Sequence, residues 1–221
     1  MMAFRLLLSC VLLMSGFSAE ISVFVQTGDS VQLDVPTQEL PEFDIFFWKN
    51  YKSEEIVRYL NIIKKVKLCD SYKNRVDFNN KSFSLTLRSM QKTDSGHYTA
   101  KASGESDNNI VTYRVSVIDA VEIPVLTVNV NRSSPDPCSL KCNGSNIITI
   151  RSIYNSSSCS PEDVTSSDNY KLRLSCSGDS IMCNYSNPVS WKTDIKKVNE
   201  LCAGFQGPER KHAKEASFCV F

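Results

Sequence analysis

Cysteine is almost missing from the first half of this chain. Of nine cysteines in 221 residues, Cys69 is the only one between positions 20 and 137. No internal disulfide can therefore brace that stretch, and packing must hold it. Histidine is scarce too, with His97 and His212 alone. That leaves few nitrogen ligands for zinc and favours disulfides over metal for the cysteines further on. Charge of one sign is not in excess: 25 Lys+Arg stand against 24 Asp+Glu. A broad nucleic-acid footprint is thereby excluded. Neither G-x-x-x-x-G-K-S/T nor G-x-G-x-x-G occurs, so no phosphate cradle is expected and no cofactor is implied. No apolar run of about 18 residues follows residue 19, so no membrane span is expected after the leader.

What is present begins with a leader. Arg5 precedes the apolar run Leu6 to Met14, and small residues Ser15, Gly16, Ser18 and Ala19 follow. Residues 1–19 read as a secretory signal peptide, cleaved after Ser18 or Ala19. The chain is then expected outside the cell, either associated with the surface or secreted. Seven of the eight cysteines that remain after loss of Cys10 lie beyond residue 137. In an oxidising compartment that is a disulfide framework confined to the second half. Five N-x-S/T sequons, at Asn80, Asn131, Asn143, Asn155 and Asn184, suit a glycan-bearing surface. Asn187 precedes proline and is excluded.

Residues 20–119 alternate in short runs. Ile21 to Val25 opens, and Val31, Leu33 and Val35 then share one face. Asp44 to Lys49 carries Trp48, about thirteen residues after Val35. Glu55 to Leu60 and Ile62 to Val66 supply extra strands. Arg75 to Phe78 and Ser82 to Leu87 follow. Then comes Asp94-Ser95-Gly96-His97-Tyr98-Thr99-Ala100. It reads as the corner of an immunoglobulin sandwich, in which the tyrosine hydroxyl ties back to upstream backbone. Ile110 to Val117 closes the sheet. The extra strands mark a variable-type domain. Val35 and Ala100 stand where its two half-cystines would be, forgoing roughly 4 kcal/mol of cross-link stabilisation. Packing around Trp48, Leu33 and Tyr98 must compensate. Arg75 is placed to pair with Asp94. Cys69 reads as a buried thiol, a free one, or a link between chains.

Residues 120–203 read as a second, constant-like sandwich behind a short linker with Pro124, with the two domains expected end to end. Leu126 to Val130 and Cys138 to Cys142 are its first strands, with both sulfurs on the Leu140 face. Tyr170 to Cys176 reads as strand E, Ser180 to Ser190 as strand F with its turn, and Lys192 to Leu201 leads through strand G. The pairing read from this order is Cys142–Cys183 between sheets, Cys138–Cys202 near the edges, and Cys159–Cys176 by elimination. Six cysteines admit other pairings, and spacing alone does not choose among them. Residues 204–221 read as a polar, disordered tail whose Cys219 is an odd thiol. The fold class is thus all-β, two tandem immunoglobulin-like sandwiches.

These features resemble the ectodomain of the signalling lymphocytic activation molecule (SLAM) family and its lymphocyte-adhesion relatives. The resemblance covers residues 20 to 202. It rests on Val35 and Ala100 in place of cysteine, with Trp48 and Asp94-Ser95-Gly96-His97-Tyr98 kept. In the second half it rests on Cys138-x-x-x-Cys142, Cys183-x-Tyr185-Ser186-Asn187-Pro188-Val189-Ser190 and Cys202. Ser152-Ile153-Tyr154 departs from it, standing where a tryptophan is expected, and the Cys159/Cys176 pair is additional.

The resemblance implies an immune-cell adhesion or co-receptor ectodomain. Its partner would be a related immunoglobulin-superfamily surface protein, homophilic or heterophilic, met through the outer face of strands G, F, C and C′ of domain one. Parity from Trp48 sends Phe47, Lys49 and Tyr51 to that face. Parity from Tyr98 sends Thr99 and Lys101 there, and the closing strand adds Thr112 and Arg114. Arg58 is added on an ambiguous register. Each is equally well accounted for as ordinary solvent-facing strand decoration. The alternative is a secreted soluble or decoy form, which the lack of an anchor favours. Enzyme chemistry is not expected: Asp94, Ser95 and His97 crowd one turn, whereas a working triad converges from separate elements.

Overall fold

The computed structural model describes residues 20–36, 40–130, 138–145, 148–155, 158–160, 163–177, 180–197 and 202. The leader, Asn131 and the tail with Cys219 lie outside the described residues. The chain forms two compact units, one up to Ile118 and one from Asp119 on.

In the first unit the strands are β1 (Glu20–Gln26), β2 (Val31–Leu33), β3 (Ile45–Lys49), β4 (Glu55–Leu60), β5 (Lys65–Leu68), β6 (Val76–Phe78), β7 (Leu85–Leu87), β8 (Gly96–Ser103) and β9 (Asp107–Ile118). They make a six-stranded sheet, β1-β9-β8-β3-β4-β5, and a three-stranded sheet, β2-β7-β6. Alternation sends one residue in two between the sheets. Leu33, Phe46, Trp48, Ile56, Leu85 and Leu87 are fully buried there. The Trp48 indole donates to the Phe83 carbonyl at 2.9 Å, so its one polar group is satisfied inside the core. Val35 and Ala100 are buried in the same cluster, apolar contact taking the place of a cross-link.

The corner entering β8 is tied at three points. Tyr98 donates its hydroxyl to the Asp94 carbonyl at 2.8 Å. The Asp94 carboxylate accepts two bonds from the Arg75 guanidinium, both 2.6 Å, and one from the Gln91 N–H at 2.8 Å. Burial pushes the Tyr98 phenol well above its ordinary pKa, so it remains a donor.

Two strand boundaries of the first unit differ from expectation, and one pairing adds to it. The strand anticipated over 62–66 lies at Lys65–Leu68. Asn61 to Lys64 instead form the turn, where Lys64 takes φ 53° and Ile62 and Ile63 face solvent. Strand β1 pairs parallel to β9, from Glu20 opposite Thr112 to Gln26 opposite Ile118, and so prolongs the larger sheet. Strand β7 starts only at Leu85, because Asn79 accepts the N–H groups of Lys81 and Ser82 and holds the preceding residues in a turn. Asn80 sits exposed in that turn. Cys69 is half-buried and outside the disulfides, its sulfur hydrogen-bonded to the Ser71 hydroxyl at 3.2 Å.

The second unit holds β10 (Val125–Val130), β11 (Cys138–Asn143), β12 (Thr149–Asn155), β13 (Ser158–Ser160), β14 (Asp163–Ser167), β15 (Tyr170–Ser177), β16 (Ser180–Asn187) and β17 (Ser190–Lys197). Two four-stranded antiparallel sheets result, β10-β11-β12-β13 and β14-β15-β16-β17. Leu126, Leu140, Ile150, Leu172, Leu174, Ile181 and Tyr185 form the buried cluster between them. Disulfides Cys142–Cys183 and Cys159–Cys176 join one sheet to the other, and Cys138–Cys202 ties β11 to the segment after β17. The reading of 170–176 as strand E is corrected. An E strand belongs to the sheet opposite F, whereas β15 lies beside β16. Ser177 and Ser180 are register partners, and so short a connection cannot cross the roughly 10 Å between packed sheets. The architecture is all-β: two tandem immunoglobulin-like sandwiches, of which, among the described residues, the first has no disulfide and the second has three.

Candidate recognition face

Residues opposite one another on neighbouring strands share a face, so register turns the outer surface of the large sheet into rows. One row runs Lys67, Arg58, Phe47, Lys101, Asn109 across β5, β4, β3, β8 and β9. The next runs Glu55, Lys49, Thr99, Thr112, ending at Glu20 on β1. A third joins His97, Arg114 and Ser22. A bulge in β9 sets the register, because Ala100 pairs with Val111 but Lys101 with Asn109.

Of the seven residues singled out by parity, Lys49, Thr99, Lys101, Thr112 and Arg114 fall in these rows as side chains with some exposure, and so does Arg58, which parity did not place. Arg58 gains a definite place, directly opposite Phe47. Phe47 faces outward yet is only 9% exposed, which corrects its reading as an open contact residue. The Lys49 ammonium lies 4.8 Å from its ring centroid, and the stems of its row neighbours flank it. Tyr51 is not in a row. It lies past the end of β3, beyond a register shift at Trp48/Lys49, and its ring covers Gly96 so closely that a Cβ there would meet it at 2.7 Å. Strand parity does not survive such a shift.

Glu55 is the acidic centre that parity from Trp48 and Tyr98 missed. It accepts from Arg58 Nε at 2.8 Å and lies 4.0 Å from Lys49 Nζ. Nothing near His97 in the sequence points to Glu20, whose carboxylate meets the His97 ring at 2.9 Å from 77 residues away. Lys101, Lys67 and Arg114 have no ion pair among the described residues. The face is therefore a shielded aromatic beside the Glu55-paired Arg58 and Lys49, with open cations at Lys67 on one flank and at Lys101 and Arg114 on the other.

The crowded corner offers no triad. Asp94 is bound to Arg75, the Ser95 hydroxyl accepts from the Val117 N–H at 2.9 Å, and His97 turns to Glu20. Among the described residues no group of three or more His, Cys, Asp or Glu is placed to hold a metal ion. Nor is any described helix long and apolar enough to cross a membrane.

Comparison with known proteins agrees with this geometry at the level of fold. Residues 19–118 match the Immunoglobulin V-set domain. No curated protein matches the chain. Among solved structures, the CD2-binding domain of CD58 (lymphocyte function-associated antigen 3) is similar at 16% identity and TM-score 0.55, over 82% of this chain and 98% of that one. Murine CEACAM1b gives 20% and 0.55, over 81% and 98%. A chain in the structure of mouse coronavirus receptor-binding domain complexed with its murine receptor gives 23% and 0.57, over 79% and 94%. The first unit thus matches the immunoglobulin V-set model, and the described residues are similar in fold to immunoglobulin-like structures.

Proposed function

We propose that the chain is an extracellular recognition ectodomain. It meets a related immunoglobulin-superfamily surface protein, homophilically or heterophilically, through the outer face of β9, β8, β3 and β4. The observation that carries this is the row Arg58, Phe47, Lys101. An aromatic is set at the centre of a flat sheet face and ringed by cations that the fold itself does not fully neutralise. The apolar stems of the lysine and arginine side chains that cover Phe47 offer contact area, while their charged heads give orientation and encounter rate. The partner surface is accordingly acidic where it opposes Lys101 and Arg114. The reading is further supported by the V-set match and by the likeness to a CD2-binding domain. The resemblance to the SLAM family supports the partner class. No chemical step is part of this function.

The test is surface plasmon resonance of the glycosylated, secreted chain over itself and over a panel of two-domain immunoglobulin ectodomains. A saturable response is expected, lost in Lys101→Glu and in the double variant Lys49→Glu/Lys101→Glu. Wild-type response in both variants, each with an intact melting transition, would remove this face as the site.

A further inference from the structure

The second unit bears an apolar surface that the recognition face does not explain. On the outer side of β14-β15-β16-β17 lie Trp191, Ile195, Met182 and Val164, exposed by 69, 56, 37 and 47%. Register places them around one residue. Asn184, on the inner strand β16, lies opposite Thr193 on β17 and Arg173 on β15. Trp191 and Ile195 flank Thr193 two residues to either side. They are the diagonal neighbours of Asn184, about 7–8 Å away in such a ladder. Met182 precedes Asn184 by two on the same side, and Val164 lies beyond Arg173 in its row. Asn184 begins the sequon Asn184-Tyr185-Ser186. Its amide points outward: Nδ2 donates to the Thr193 hydroxyl at 2.9 Å, while Cys183 and Tyr185 on either side are buried.

We infer that Asn184 carries an N-linked glycan whose first sugars lie across Trp191, Ile195 and Met182 and cover this face. In the attachment, the Asn184 amide nitrogen bonds the anomeric carbon of a lipid-diphosphate-linked oligosaccharide. The anomeric C–O bond breaks, the lipid diphosphate leaves, and the nitrogen gives up one proton. The second amide hydrogen stays available to Thr193. Transfer to the unfolded chain, before β16 is paired on both sides, removes any steric objection to a central strand. An aromatic and two aliphatic side chains then have a partner of matching chemistry, because the C–H faces of a pyranose stack on indole while its hydroxyls remain in water. An apolar patch without such cover marks a contact site or an aggregation hazard, and a tethered oligosaccharide occupies it at high effective concentration.

The sequence supplies its own probe. Only two tryptophans exist, and Trp48 is fully buried, so emission quenched by acrylamide reports Trp191. The full chain is secreted from mammalian cells as wild type, Asn184→Gln and Ser186→Ala. Peptide mapping after peptide-N-glycosidase treatment is expected to find Asn184 converted to Asp in the wild type alone. Most of the acrylamide-accessible emission is expected to be lost in the glycosylated wild type and present in both variants. Enzymatic deglycosylation of folded wild type should restore it, which keeps the test sound if neither variant is secreted. An unmodified Asn184 would overturn the inference. So would Trp191 emission that is equally quenched with and without the glycan, or a glycosylated wild type in which Trp191 is shielded only on dimerisation.

Discussion

At the scale of single residues, Asp94 bears the most weight in the first unit. Burial alone would raise its pKa, but the Arg75 guanidinium and the Gln91 N–H outweigh burial and hold it below the ordinary carboxylate value. A folded pKa below the unfolded one means stabilisation that is complete above the unfolded value and lost as pH falls through the folded one. The melting temperature of the first unit is therefore expected to stay level down to about pH 5 and to fall below about pH 4, with a shallower fall in Asp94→Asn. Calorimetry across that range checks it. Asp94→Ala strands the Arg75 charge. Because Arg75 is partly exposed, the expected cost is about 2–3 kcal/mol, less than for a fully buried pair. Tyr98→Phe keeps the ring but removes the bond to the Asp94 carbonyl, and should cost about 1–2 kcal/mol by denaturant titration.

At the scale of elements, the strands of the first unit were legible because period-two alternation and the Asp94-to-Tyr98 corner act within a few residues of chain. What was not legible depends on partners distant in sequence. Nothing in Ile62-Ile63 announces a turn, since two β-branched residues favour a strand and only the backbone at Lys64 overrides them. The burial of Phe47 depends on Arg58 and Lys101, which register alone brings to its sides. The strand that β15 would join depended on hairpin length, which local pattern does not rank against sheet assignment. The candidate face was readable in part for the same reason: parity located Lys49, Thr99, Lys101, Thr112 and Arg114, but failed at Tyr51 beyond the shift in β3. Two expectations belong at this scale. Lys101→Glu changes a side chain without an ion pair among the described residues, so the unit should melt as wild type while binding is lost. Val35→Cys with Ala100→Cys restores the missing cross-link within one buried cluster. If it closes, the gain should approach about 4 kcal/mol, read as a melting temperature that drops on addition of reductant.

At the scale of the whole molecule, the two units differ in what holds them. The first relies on a continuous aromatic and aliphatic core. The second adds three disulfides, each worth about 2–5 kcal/mol against a domain stability of about 5–15 kcal/mol. A phosphine reductant is thus expected to abolish the melting transition of the second unit while the first, with Trp48 as its reporter, melts unchanged. The pairing of β1 with β9 has a practical side. Glu20 lies opposite Thr112 and reaches His97, so this end of β1 sits beside the Thr99 and Arg114 rows. An affinity handle or fluorescent fusion joined at Glu20 is leashed beside the proposed recognition face. On that proposal, a binding assay built on such a fusion reports the obstruction rather than the protein.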